Sequence, residues 1–170
     1  MAVLVADTSG LVSLGIAAGG DPDPLALCLD HHEVLVPALV LDELREVTSY
    51  DDEHGRAATA VLDRQDRFRV HSVSLDAQFP LDDGENAAVS LANDVDASLL
   101  LCDEFNSLGL VHASLADTRL VTTPTLLSVF VRQGRLESEA ALEILGEISE
   151  ARSWEANSYV ERAQSLLDQA

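Results

Sequence analysis

Two carboxylates mark the chemistry this sequence points to. Asp7 ends the apolar run Val3-Leu4-Val5-Ala6, and Asp103 ends a second run, Leu99-Leu100-Leu101-Cys102. A short, unbroken apolar run reads as a strand buried on both faces, the kind found in a parallel sheet. Ligands of open parallel sheets sit beyond the carboxyl ends of the strands, so acids at two such ends are placed to converge on a pocket for a hard cation. Between them in the chain stand Glu43, in Val36-Pro37-Ala38-Leu39-Val40-Leu41-Asp42-Glu43-Leu44, and Glu85, in Leu81-Asp82-Asp83-Gly84-Glu85-Asn86-Ala87-Ala88.

The elements that must position these acids follow from apolar periodicity and capping residues. A strand is expected over about residues 2 to 6, then a helix over 11 to 16 after Asp7-Thr8-Ser9. Gly19-Gly20-Asp21-Pro22-Asp23-Pro24 breaks the chain before a helix from about 24 to 30 and a strand from 34 to 36. Pro37 suits the start of a helix near 38 to 47 that carries Glu43. A helix-compatible stretch from about 51 to 65 and a strand near 69 to 73 follow, and the Asp-Asp-Gly-Glu turn opens a helix over roughly 84 to 93. Strands near 98 to 102 and 119 to 121, a helix opened by Thr122-Thr123-Pro124, and helices near 138 to 150 and 154 to 168 complete the chain. Alternating strands and helices give an α/β class with a central parallel sheet.

Each acid also has an ordinary structural use. Asp7, Asp103 and Glu85 are all placed to cap a helix or favour the positive end of its dipole. Glu43 shares a stripe with Leu39 and Val47 at i±4 spacing, so it lies on or beside the core-facing side of its helix. An ionised carboxylate there needs a metal or an arginine as companion. Asp82 and Asp83 read as caps, and Ser9 and Thr123 as caps or as hydrogen-bond partners of the metal-binding acids.

The chain has 170 residues, 47% of them apolar, within the range of one domain with a sizeable core. Its 30 acidic residues against 10 basic give a formal charge of −20, and every basic residue is arginine. Such a balance ordinarily argues against nucleic acid. An acidic, lysine-free surface also suits a halophilic organism's molar salt, where the Debye length falls to about 3 Å and repulsion from a phosphate backbone is screened. Cys28 and Cys102 are too few and too far apart for a thiolate zinc site, so reduced thiols in a soluble, cytoplasmic protein are expected. No segment reaches the roughly 18 apolar residues of a membrane span. Adjacent His31 and His32 point apart on a helix, and neither a glycine-rich phosphate loop nor a nucleophile elbow is present.

The order and surroundings of the four acids resemble the PIN-domain family of metal-dependent nucleases, most closely its toxin type. The similarity lies in Asp7-Thr8-Ser9 after the first strand, Pro37-x-x-Val40-x-x-Glu43-Leu44, Leu81-x-x-Gly84-Glu85-x-x-Ala88, and the apolar strand ending in Asp103-Glu104. The resemblance implies a three-layer α/β/α sandwich over residues 1–170, with a core of about 1–136 and helices from about 137 to 170. It implies Mg²⁺ or Mn²⁺ held by Asp7, Glu43, Glu85 and Asp103, with Glu43 a ligand or the group that orients the attacking water. Glu104 is either a fifth ligand or a surface acid, and Asn106 either a further oxygen ligand or not involved. The activity implied is hydrolysis of RNA phosphodiester bonds, in many relatives as a toxin held by a small antitoxin protein; a homodimer is also expected. Cys102 stands where relatives often carry Thr or Ser, and Phe105-Asn106 where a basic residue often follows. The alternative is therefore a non-catalytic PIN-like module that binds RNA or a protein partner.

Overall fold

In the computed structural model, which describes residues 1–169, five strands form one parallel sheet in the order β3-β2-β1-β4-β5. They are β1 (Ala2–Ala6), β2 (His32–Pro37), β3 (Arg69–His71), β4 (Leu99–Leu101) and β5 (Arg119–Val121). The central strand β1 pairs Val5 with Leu35 of β2 on one side and with Leu100 of β4 on the other. Leu4, Val5 and Ala6 have no exposed surface, and burial of each Leu or Val side chain contributes about 1.5–3 kcal/mol.

Alternate residues of the strands feed two separate cores, as the two-residue period of a strand requires. Leu4, Ala6, Val34, Val36, Leu101 and Val121 pack on one side of the sheet. They meet α1 (Thr8–Ile16), α2 (Pro24–His31), α3 (Ala38–Val47), α4 (Glu53–Leu62), α7 (Thr123–Arg132), α8 (Ser138–Arg152) and α9 (Ser158–Asp168). Val5, Leu35, Leu100 and Cys102 pack on the other, against α5 (Asp83–Val95) and α6 (Leu108–Ser114). The result is the expected three-layer α/β/α sandwich. Among the described residues no helix is long and apolar enough to cross a membrane.

The strand order determines where a ligand can enter. From β1 the chain winds outward through β2 to β3, crosses back, and winds the other way through β4 to β5. The direction of winding reverses between β1 and β4, and that switch point opens a crevice at the carboxyl ends of those two strands. Asp7 and Asp103 follow these two ends. Close packing of α1 on β4 holds the crevice: a Cβ added to Gly10 would stand 2.6 Å from Leu101 Cγ.

Three segments differ from the sequence expectation. Helix α6 had no detectable signal, because seven residues with Gly109 inside bury only Leu108 and Val111. Helix α9 begins at Ser158, where Asn157 accepts from the Tyr159 and Val160 amides; Trp154 belongs instead to the turn after α8. Edge strand β3 is cut to Arg69–His71, since its pairing runs out where Pro37 faces His71.

Candidate metal centre

Strands β1 and β4 are joined at the mouth of the crevice by the Asp7 amide, which donates to the Leu101 carbonyl at 3.1 Å. The Asp7 carboxylate then caps α1: Oδ1 accepts from the Gly10 amide at 2.9 Å and from the Ser9 hydroxyl at 2.8 Å, and Oδ2 lies 3.0 Å from the same hydroxyl. Ser9 Oγ in turn accepts from the Asp103 amide at 2.9 Å. Asp103 is gripped by the start of α7, with Oδ1 accepting from the Thr123 amide at 2.7 Å and Oδ2 from the Thr123 hydroxyl at 2.6 Å. Ser13 is a further hydrogen-bond partner of the Asp103 carboxylate.

Glu43 and Glu85 arrive on helices. Pro37 ends β2 and α3 begins directly after it, which puts Glu43 on the second turn, where Oε1 accepts from the Thr8 hydroxyl at 2.6 Å. Asp82 caps α5 by accepting from the Glu85 amide at 2.8 Å, which places Glu85 in the first turn. Gly84 lies directly against the Glu43 carboxylate, whose Oε2 would be 2.8 Å from an added Cβ. Only glycine lets α5 and the Glu43 carboxylate approach so closely.

Burial disfavours the ionised form of all four acids, neighbouring carboxylates add to it at Asp7, Glu43 and Glu85, and the charge of Arg152 opposes it at Asp103. Desolvation pushes Asp7 up to about 7, opposed by its hydrogen bonds to Gly10 and Ser9 and reinforced by the negative charge of Asp103. Glu85 is also pushed up to about 7, by desolvation and then by the neighbouring Asp82 and Glu104. Glu43 and Asp103 are raised too, chiefly by desolvation; the charges of Asp82, Glu46 and Asp83 add to the effect at Glu43, while Thr123 opposes it at Asp103.

Asp7, Glu43 and Glu85 line one cavity of about 230 Å³, together with Asp82 and Glu104. Asp103 lines the adjoining groove, which also contains Glu104 and Asn106. Three of the four expected acids therefore share a cavity, and the fourth stands behind Ser9 at its side. Among the described residues no group of three His, Cys, Asp or Glu side chains is drawn in around a single point as about a bound ion. The donor set nevertheless fits a hard divalent cation: its donors are carboxylate oxygens whose charges repel one another, and a cation would relieve that repulsion. Cys102 borders the site as a hydrogen-bond partner of Asp7, with Sγ 4.0 Å from Ser9 Oγ, but neither cysteine offers a thiolate. Burial pushes the Cys28 thiol up to about 12 and holds Cys102 well above the ordinary thiol range.

Sequence reasoning missed Thr8 as the partner of Glu43, and Tyr50, His54 and Arg152 as lining of the cavity. Adjacency to Asp7 could have singled out Thr8. The other three are brought in by helix packing and carried no local signal. His31 and His32, read as pointing apart, both lie against Phe130, because α2 ends between them.

A doubly wound parallel α/β/α sheet with an acid on each side of its switch point is the class of fold and site observed. The chain belongs to the PIN-domain family: a family model described as a PIN domain matches residues 3–169. PIN nucleases typically use divalent metals. No curated protein matches the chain.

Proposed function

We propose that this protein is a Mg²⁺- or Mn²⁺-dependent endoribonuclease, the toxin of a toxin–antitoxin pair whose small antitoxin protein holds it inactive. The observation that carries the reading is the acid-lined cavity at the β1–β4 switch point, where Asp7, Glu43 and Glu85 lie together and Ser9 ties Asp103 to Asp7.

Asp7, Glu85 and Asp103 are the oxygen donors that would hold the cation, with Glu43 a ligand or the acceptor that orients the attacking water. A divalent ion held by these carboxylates would supply Lewis acidity, lowering the pKa of a water and offsetting charge on the phosphate oxygens. Glu43 keeps Oε2 clear of its bond to Thr8, so it can accept a proton from water. In the overall reaction water adds to phosphorus, the bond to one ribose oxygen breaks, and that oxygen leaves as a hydroxyl after taking a proton. Thr8, Ser9 and Thr123 hold the carboxylates in place.

A second reading is a PIN-like module that binds RNA or a protein without cutting. Two observations favour it: both Asp103 oxygens are engaged by Thr123, and the acids are not gathered around one point. One experiment separates the two: calorimetric titration of Mn²⁺ in multimolar KCl and cleavage of labelled single-stranded RNA, comparing the native chain with an Asp7→Asn, Asp103→Asn double variant. A Mn²⁺ site and cleavage present only in the native protein support the nuclease. Identical isotherms and equal cleavage would leave the binding module.

A further inference from the structure

Arg152 stands apart from the other arginines. Among the described residues Arg45, Arg64, Arg67 and Arg69 are in ion pairs, and the rest outside Arg152 are exposed. Arg152 alone is half-buried with no ion pair, in a chain with three acids for every arginine. It lines both the carboxylate cavity and the adjoining groove, a property it shares with His54 and Glu104.

Its position is built by the fold. Arg152 is the last residue of α8, where the negative end of the helix dipole favours a cation. The chain then turns through Ser153, at φ 56°, and brings the Trp154 ring under the guanidinium, with Cζ 5.8 Å from the ring centroid. Phe105, two residues beyond Asp103, meets Trp154 edge-on at 4.9 Å and stacks on Tyr159 at 5.2 Å. The loop that carries Asp103 thus braces the ring on which Arg152 rests. A guanidinium over an aromatic face keeps its planar fork of N–H donors available at the edge, the geometry that suits a phosphate.

We infer that Arg152 anchors a phosphate of the RNA strand and leads that strand from the groove, past Trp154, into the carboxylate cavity. This rests on the ribonuclease reading and adds a binding residue to it. A single strand is the substrate form that fits, because a groove leading into a cavity of about 230 Å³ admits a flexible backbone more readily than a duplex. The neighbouring acids give the arginine a further role: without it, a strand entering the groove meets only negative charge and neutral groups apart from His54.

The test is anisotropy of a fluorescein-labelled single-stranded RNA oligonucleotide with Mn²⁺, read on ice across a KCl series, for the native chain, Arg152→Gln and Arg152→Lys. A calorimetric Mn²⁺ titration and a thermal melt of each protein accompany it. Arg152→Gln is expected to bind RNA about tenfold more weakly. Its slope of log affinity against log salt should be shallower by about 0.7, the loss of one phosphate contact on a single strand. Mn²⁺ affinity should be unchanged or tighter, and Arg152→Lys should fall between the two. Equal RNA affinity in native and folded Arg152→Gln proteins would overturn the inference and leave the ribonuclease reading standing. Weaker Mn²⁺ binding in step with the RNA loss would overturn it too, since Arg152 would then act through the carboxylates. No RNA binding by the native chain would overturn both.

Discussion

The Ser9 hydroxyl and the Asp103 amide, 94 residues apart, are joined by a buried hydrogen bond of 2.9 Å. Because the same hydroxyl donates to Asp7 at 2.8 Å, one small side chain couples the acids at the ends of two neighbouring strands. A hydroxyl can both donate and accept, which is the property this junction needs.

Ser9→Ala would leave the buried Asp103 amide without its acceptor and Asp7 without one donor. The expected loss is about 1–3 kcal/mol of stability, the cost of stranding a buried polar group. Denaturant unfolding at fixed salt measures it. Mn²⁺ affinity should fall in the same protein, because Asp7 and Asp103 are no longer held in register. Native-like stability and metal affinity together would mean that the bridge is incidental.

The raised acids make stability depend on pH in a defined direction. Asp7 moves from 3.8 in the unfolded chain to about 7 in the fold, and Glu85 from 4.5 to about 7. Between about pH 4 and 7 the folded protein therefore holds protons that the unfolded chain has released, so metal-free stability falls as pH rises through that window. A divalent cation favours the ionised carboxylates, so added Mn²⁺ should stabilise most at pH 7 and above and least near pH 4. Melting curves with Mn²⁺ and with a chelator across this range check it. Parallel pH profiles in the two conditions would show that the buried acids do not sense the cation.

The sequence pattern reached the fold because burial on both faces leaves a visible mark. Val3 to Ala6 and Leu99 to Cys102 cannot alternate when alternate residues serve two cores. The acids after those runs were equally legible, and so were Pro37 and the Asp82 cap that start the helices bearing Glu43 and Glu85. What stayed hidden depends on packing between distant segments. Nothing around Arg152 in the chain shows that α8 ends beside Asp103, and nothing in Leu108–Ser114 sets α6 apart from a loop.

Thirty acids against ten arginines and no lysine leave a surface whose own repulsion opposes folding at low salt. Among the described residues the ion pairs are few, and most involve exposed partners that contribute little. Melting temperature should therefore rise from dilute to multimolar KCl, as the Debye length shortens to about 3 Å at 1 M. A higher melting temperature in dilute buffer would refute adaptation to molar salt.

Gly84→Ala separates the position of one carboxylate from the stability of the fold. The atoms an added Cβ would strike belong to the Glu43 carboxylate, with Cδ at 2.9 Å, and not to backbone. The end of a flexible side chain can swing away, so the protein should fold. Alanine is also the better helix former, which keeps global stability within about 1 kcal/mol of native. Glu43, however, would lose its place beside α5 and its 2.6 Å bond from Thr8. Mn²⁺ affinity and RNA cleavage are expected to fall by about tenfold or more, as when a group that orients metal ligands is lost. Calorimetry and a cleavage assay on the folded variant provide the readout. Undiminished metal binding and cleavage would show that Glu43 serves neither as a ligand nor in orienting water, and would confine the centre to Asp7, Glu85 and Asp103.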